Sequence, residues 1–124
     1  MLEQFLEDMA RRPFRDGAAD CILTVADWIV LNGHPDPAAP FRGRYRTALG
    51  RERIVRREGG MLSVMEAGAA RAGLEATEGP LRGDVGLVRM GDHTLAAICL
   101  NRLWAAKGPG VVVGPAEVLK AWRV

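Results

Sequence analysis

The sequence predicts an α+β fold, in which N-terminal helices pack on a C-terminal antiparallel sheet of about four strands. Up to about residue 72 the apolar residues recur at helical spacing, whereas from residue 84 onward short apolar runs alternate with glycine-containing turns. Helices first and a meander of strands afterwards is an order typical of α+β domains. The 124 residues, 48% of them hydrophobic and 26% charged, are enough to bury a core as one domain over residues 1–124.

Two helices open the chain. The first is predicted over residues 2–12, because apolar residues recur there at helical spacing and Pro13 cannot continue a helix. The second is predicted from about Asp20 to Asn32, with Asp20 or its neighbour as the N-cap and Gly33 as the stop. Because this second helix is apolar nearly all round, we expect it to be buried at the centre of the fold.

The middle of the chain is predicted to be less regular. Residues 34–40 form a proline-rich loop, and residues 41–60 are rich in arginine, with a short helix expected near residues 51–58. Another helix is predicted over residues 61–72. Glutamates are interleaved with the arginines and few aromatic residues accompany them, so we expect a solvated or partner-facing surface and no nucleic-acid partner.

The last third of the chain is predicted to form the sheet. Strands are expected over residues 84–89, 93–100, 103–106 and 111–113, each separated from the next by a turn. A short closing helix is then predicted from Pro115 to Trp122, with proline at its first turn.

Composition and charge exclude several classes of protein. The longest apolar run, residues 22–31, is interrupted by Asp27 and is too short to span a bilayer, so no membrane span is expected. The acidic N-terminus lacks the basic start of a secretory signal, and synthesis in the cytoplasm is expected. Cys21 and Cys99 are expected to be independent thiols. Two isolated histidines do not have the spacing of a metal site, so neither a metal nor another cofactor is expected.

Cys21 is the residue that points most directly to chemistry. It follows Asp20 and opens the second helix, where unpaired backbone N–H groups and the helix dipole favour a thiolate. A cysteine that packs as a small hydrophobic residue explains the same position. Both interpretations remain open from the local pattern.

Three motifs occur in an order that carries a resemblance. Asp20-Cys21 opens a buried helix, Gly83-Asp84 begins the first strand, and residues 95–101 form the core of the next strand. This order resembles the NlpC-type cell-wall cysteine peptidases, which have the papain-like fold. In those enzymes an Asp-Cys pair opens the catalytic helix, a Gly-Asp pair begins a strand, and a histidine on the following strand is the base.

The chain is also similar, over essentially its whole length, to a family of small phage proteins that are related to those peptidases and encoded among tail genes. The match includes residues 36–39, 41–45, 59–60 and 121–124. The resemblance implies a tail-tip or baseplate protein that is made in the host cytoplasm and resides in the virion tail. Other phage tail proteins would be its partners, and peptidoglycan would be its substrate if it is active.

The chemistry of such a peptidase requires a nucleophile, a base and a group that orients the base. The resemblance makes Cys21 the nucleophile, whereas Leu95 occupies the position of the base in the best-matching register. The nearest substitute is His93, which lies about 6.6 Å upstream and shares a strand face with Leu95, so that it could point toward Cys21. The third predicted strand, residues 103–106, offers no orienting group.

Three functions therefore remain open. The first is a structural tail protein with a peptidase-like fold and a degenerate triad. The second is an active cysteine peptidase that cleaves peptidoglycan peptides as DNA enters the cell, with Cys21 and His93 as its catalytic residues. A small binding module with no connection to phages is a third alternative.

Asp84, at the start of a strand, is expected to stabilise turn geometry through hydrogen bonds to nearby backbone N–H groups.

Overall fold

Four helices precede six strands in the computed structural model of the protein, which describes residues 1–124. The helices are α1 (Leu2–Arg11), α2 (Cys21–Leu31), α3 (Ala48–Arg57) and α4 (Met61–Ala72). The strands are β1 (Ala76–Thr77), β2 (Val85–Met90), β3 (His93–Cys99), β4 (Trp104–Lys107), β5 (Val111–Gly114) and β6 (Glu117–Trp122).

All six strands belong to one antiparallel sheet in the order β1-β6-β2-β3-β4-β5. Strands β2 to β5 form the predicted meander, and β6 returns across the sheet to pair with β2. The α+β architecture is therefore confirmed. The sheet has six strands and is larger than the predicted sheet of about four.

The predicted closing helix from Pro115 to Trp122 is wrong. Residues Glu117–Trp122 form β6, which pairs with β2 in a register that places Trp122 opposite Val85 and Ala121 opposite Gly86. The pairing buries both Trp122 and Ala121 in the core. Helix propensity is a weak preference, and the cross-strand hydrogen bonds and burial provided by β2 outweigh it.

The helices follow local signals in the sequence. Helix α1 ends at Arg11 because Arg12 precedes a proline and adopts an extended conformation. The side chain of Asp20 caps α2, and the hydroxyl of Thr47 accepts a hydrogen bond from the amide of Gly50 at the start of α3. Helix α4 spans the predicted residues. Helix α3 begins three residues earlier than predicted, since the side chain of Thr47 caps it there.

The two faces of the sheet belong to different parts of the core. Ala96 and Ile98 of β3 lie in the cluster that contains α1 and α2 residues, including Cys21. Ala97 and Cys99, which alternate with them, lie in a separate cluster with Trp104. Helix α2 therefore packs on the Ala96 face of β3.

Helix α2 is fixed to the sheet by an aromatic residue. The indole Nε1 of Trp28 donates a hydrogen bond of 2.8 Å to the carbonyl oxygen of Gly83, immediately before β2. The Trp28 ring also packs on Phe5 of α1, with ring centroids 5.2 Å apart.

No helix of the structure combines the length and the apolar character needed to cross a bilayer.

Candidate functional site

Cys21 is the first residue of α2, directly after the Asp20 cap, as the sequence predicts. The start of α2 lies against β3, where Ala96 belongs to the same core cluster as Cys21. The thiol is buried, with 9% of the residue exposed. Both cysteines of the chain are free thiols, and Cys99 is packed on the other face of the sheet.

The surroundings of Cys21 disfavour a thiolate. Burial raises the pKa of the Cys21 thiol, and the neighbouring Asp20 carboxylate raises it further. The backbone amide of Ala96 and the guanidinium of Arg51 act in the opposite direction, but the net change in the pKa is upward. A cysteine nucleophile needs a lowered pKa, and these surroundings shift the pKa of Cys21 in the opposite direction.

Asp20 is held by three hydrogen bonds and is fully buried. Its Oδ1 accepts from the amide of Leu23 at 2.9 Å, and its Oδ2 accepts from the amide of Gly17 at 3.0 Å and from the hydroxyl of Tyr45 at 2.6 Å. Burial and the bond to Asp20 raise the pKa of Tyr45 well above its usual range. Asp20 thus joins the turn before α2, the helix itself and the segment that precedes α3.

His93 is exposed at the first residue of β3, beside the turn that joins β2 to β3. It lines the same cleft as Cys21, but no hydrogen bond joins the two side chains. In the strand alternation it shares the face of Ala97, whereas Ala96 shares the core cluster of Cys21. The role of His93 as a base stays a prediction.

The remaining positions of the predicted triad hold no suitable group. Leu95, at the expected position of the base, is half-buried and packs against the clusters on both faces of the sheet. Strand β4 ends in Lys107, whose ammonium donates to backbone carbonyls. An ammonium has no lone pair to accept a hydrogen bond, so Lys107 does not serve as the group that orients an imidazole.

A cleft of about 760 Å³ opens beside Cys21, between α3 and the start of β3. Its lining combines apolar side chains with basic ones and a single acidic residue. The residues are Phe14, Cys21, Ile22, Arg51, Glu52, Val55, Arg56, Gly59, Gly60, Met61, His93, Thr94, Leu95 and Lys107. Cys21 and His93 were predicted as site residues, whereas Lys107 and the α3 residues were not, because no local signal in the sequence brings them to this cleft.

Asp84 has the structural role that its position predicts. Its Oδ2 accepts a hydrogen bond from the amide of Leu81 at 2.8 Å, and its Oδ1 accepts from the amide of Val124 at 3.0 Å. The guanidinium of Arg123 lies 3.2 Å from the same carboxylate. Asp84 therefore closes the turn before β2 and ties the last residues of the chain to it.

The comparisons with known proteins identify a family without naming an activity. The family model described as a domain of unknown function, DUF6950, matches residues 1–124. No curated protein and no solved structure matches the chain. Because this match spans the whole chain, the chain belongs to the DUF6950 family.

Proposed function

We propose that the protein is a structural component of a phage tail tip or baseplate, with a papain-like fold of the NlpC type and a degenerate triad. It would act through contacts with other tail proteins. Support for this proposal comes from the order of motifs in the sequence, together with a buried Cys21 at the start of α2 and Asp84 before β2.

The surroundings of Cys21 favour the structural role over catalysis. The environment of Cys21 raises the pKa of its thiol, and neither β3 nor β4 brings a hydrogen-bonded imidazole to it. Cysteine catalysis requires a thiolate and a base within hydrogen-bond reach. A packed thiol requires neither, and the burial of Cys21 is the arrangement that packing predicts.

Thiol labelling tests this proposal. In a Cys99→Ala background, Cys21 of the folded protein should react with iodoacetamide at least about tenfold more slowly than a free thiol, at every pH between about 5 and 9. Burial withdraws the sulfur from the reagent, and the raised pKa keeps it protonated. Mass spectrometry of the labelled peptide gives the rate, and the Cys21→Ala variant gives the background. Fast labelling below about pH 7 would contradict the structural role.

Location provides a separate test. In purified particles of a phage that encodes this chain, quantitative mass spectrometry should detect it in a fixed ratio to the other tail proteins, because a tail-tip component is built into a closed symmetric assembly. Detection in infected cells but not in purified particles would overturn the tail assignment, whatever the state of Cys21.

A second function is favoured by the cleft that Cys21 and His93 share. In an active peptidase, Sγ of Cys21 would attack the carbonyl carbon of a peptide bond in peptidoglycan. His93 would take the thiol proton and pass it to the departing amine, and water would then release the acyl group from sulfur. The backbone N–H of Cys21 at the helix start would contribute to holding the oxyanion.

Release of soluble peptides from purified peptidoglycan distinguishes the two functions. The structural role predicts no release above that of the Cys21→Ala variant. Activity that is lost in both Cys21→Ala and His93→Ala would establish the peptidase instead. The Cys99→Ala variant is the matched control, because Cys99 lies on the other face of the sheet.

A further inference from the structure

We infer that the cleft between α3 and the start of β3 binds an acidic peptide segment of a partner protein, with the ammonium of Lys107 receiving one of its carboxylates. The inference adds a binding site to the proposed function. It rests on that function in one respect, because the proposed tail assembly is what identifies the partner as a protein. The charge, the burial and the apolar walls of the cleft all favour such a segment.

Lys107 is a buried cation without a counter-ion. Only 4% of the residue is exposed, and its side chain lines the cleft. Its Nζ donates to the carbonyl oxygens of Arg12 at 2.5 Å and of Gly110 at 3.2 Å. An ammonium has three N–H donors, so one remains for a further acceptor. No carboxylate forms an ion pair with it, and a buried charge left in this way favours an anionic partner.

The rest of the lining is also basic. The guanidinium of Arg56 on α3 makes no hydrogen bond and no ion pair, whereas Arg51 is paired with Asp16. Glu52 is the only acidic residue of the lining, so positive charge is in excess. The neighbouring face of α3 carries Arg53, which lines a different hollow and also has no ion pair. Charge complementarity therefore selects an acidic partner.

The apolar part of the cleft indicates a peptide. Phe14, Val55, Met61 and Leu95 form walls next to the basic groups. The cleft is open to solvent on one side, and its volume of about 760 Å³ exceeds what a bare anion fills. A single aromatic side chain is a poor stacking platform for nucleotide bases. A peptide segment that carries apolar side chains next to a carboxylate fits this lining best.

Binding of hexaglutamate to the full chain tests the inference, with affinity measured by calorimetry and the contacted residues identified by NMR shifts. We expect shifts at Lys107, Arg56 and His93. Lys107→Met should weaken binding at least about tenfold, and Arg56→Gln about threefold or more, since both remove a cation from the lining. Arg53→Gln on the neighbouring face is the matched control and should change the affinity less than about twofold.

Several outcomes would overturn the inference. These are no binding of hexaglutamate, equal losses in Arg56→Gln and Arg53→Gln, shifts confined to residues outside the cleft, or tighter binding of a thymidine hexanucleotide at the same residues. If Lys107→Met does not fold, Arg56→Gln decides, because Arg56 is exposed and unpaired. Particle composition does not depend on this cleft charge, so the proposed function can stand when the inference fails.

Discussion

Asp20→Ala is expected to lower the free energy of unfolding by about 3–5 kcal/mol. The substitution leaves three donors without their acceptor, namely the amides of Leu23 and Gly17 and the hydroxyl of Tyr45. Because Asp20 is fully buried, water does not replace the lost bonds. For a chain of this length, thermal denaturation should show a fall in Tm of roughly 4 °C for each kcal/mol.

Two milder variants provide the controls for Asp20. Asp20→Asn keeps the capping oxygen that Leu23 needs but places an amide NH₂ where Oδ2 accepts from Gly17, so it should lose about 1–3 kcal/mol. Tyr45→Phe removes only one bond and should lose about 1 kcal/mol. Equal effects of all three substitutions would show that the hydrogen bonds are not the source of the stability.

Gly17→Ala is expected to destabilise the fold by about 2–5 kcal/mol. Gly17 adopts a φ of +83°, which an L residue rarely takes. A Cβ at this position would also overlap the backbone carbonyl oxygen of Tyr45, so the chain near Tyr45 would have to move. That movement disturbs the Tyr45 hydroxyl and its bond to Asp20.

Gly33→Ala is the matched control, because Gly33 has a φ of +92° but an added Cβ there meets no atom within 4 Å. It carries the conformational penalty alone, about 1 kcal/mol. Urea denaturation of both variants separates the two contributions, since the difference between them reports the overlap with Tyr45. A Gly17→Ala variant as stable as Gly33→Ala would contradict the contact.

Both predictions concern the residues that hold the start of α2. Asp20, Gly17 and Tyr45 place Cys21 by packing and hydrogen bonds that contribute to stability. Each of these three residues contributes to stability whether or not Cys21 reacts, because losing any of them removes a hydrogen bond or strains a close contact. Activity assays on these variants must therefore be corrected for the folded fraction.

The local structure of the first half of the chain follows from the sequence. The Asp20 cap, the all-round apolar character of α2 and the glycine stop at Gly33 act over a few residues, so their effect can be predicted without the fold. The turn role of Asp84 is local in the same sense. The meander from β2 to β5 was also predictable, because neighbouring strands joined by short turns pair with each other.

Contacts between distant residues were decided by the tertiary structure alone. Strand β6 forms because β2, about 30 residues earlier, offers it a partner, and the isolated segment carries no signal that outweighs a helix. The bond from Tyr45 to Asp20, the burial of Lys107 and the position of α3 beside β3 have the same origin. The sequence by itself determined the α+β order and the place of Cys21 at a helix start. Whether that thiol is exposed or packed depends on which distant side chains surround it, and only the folded chain decides this.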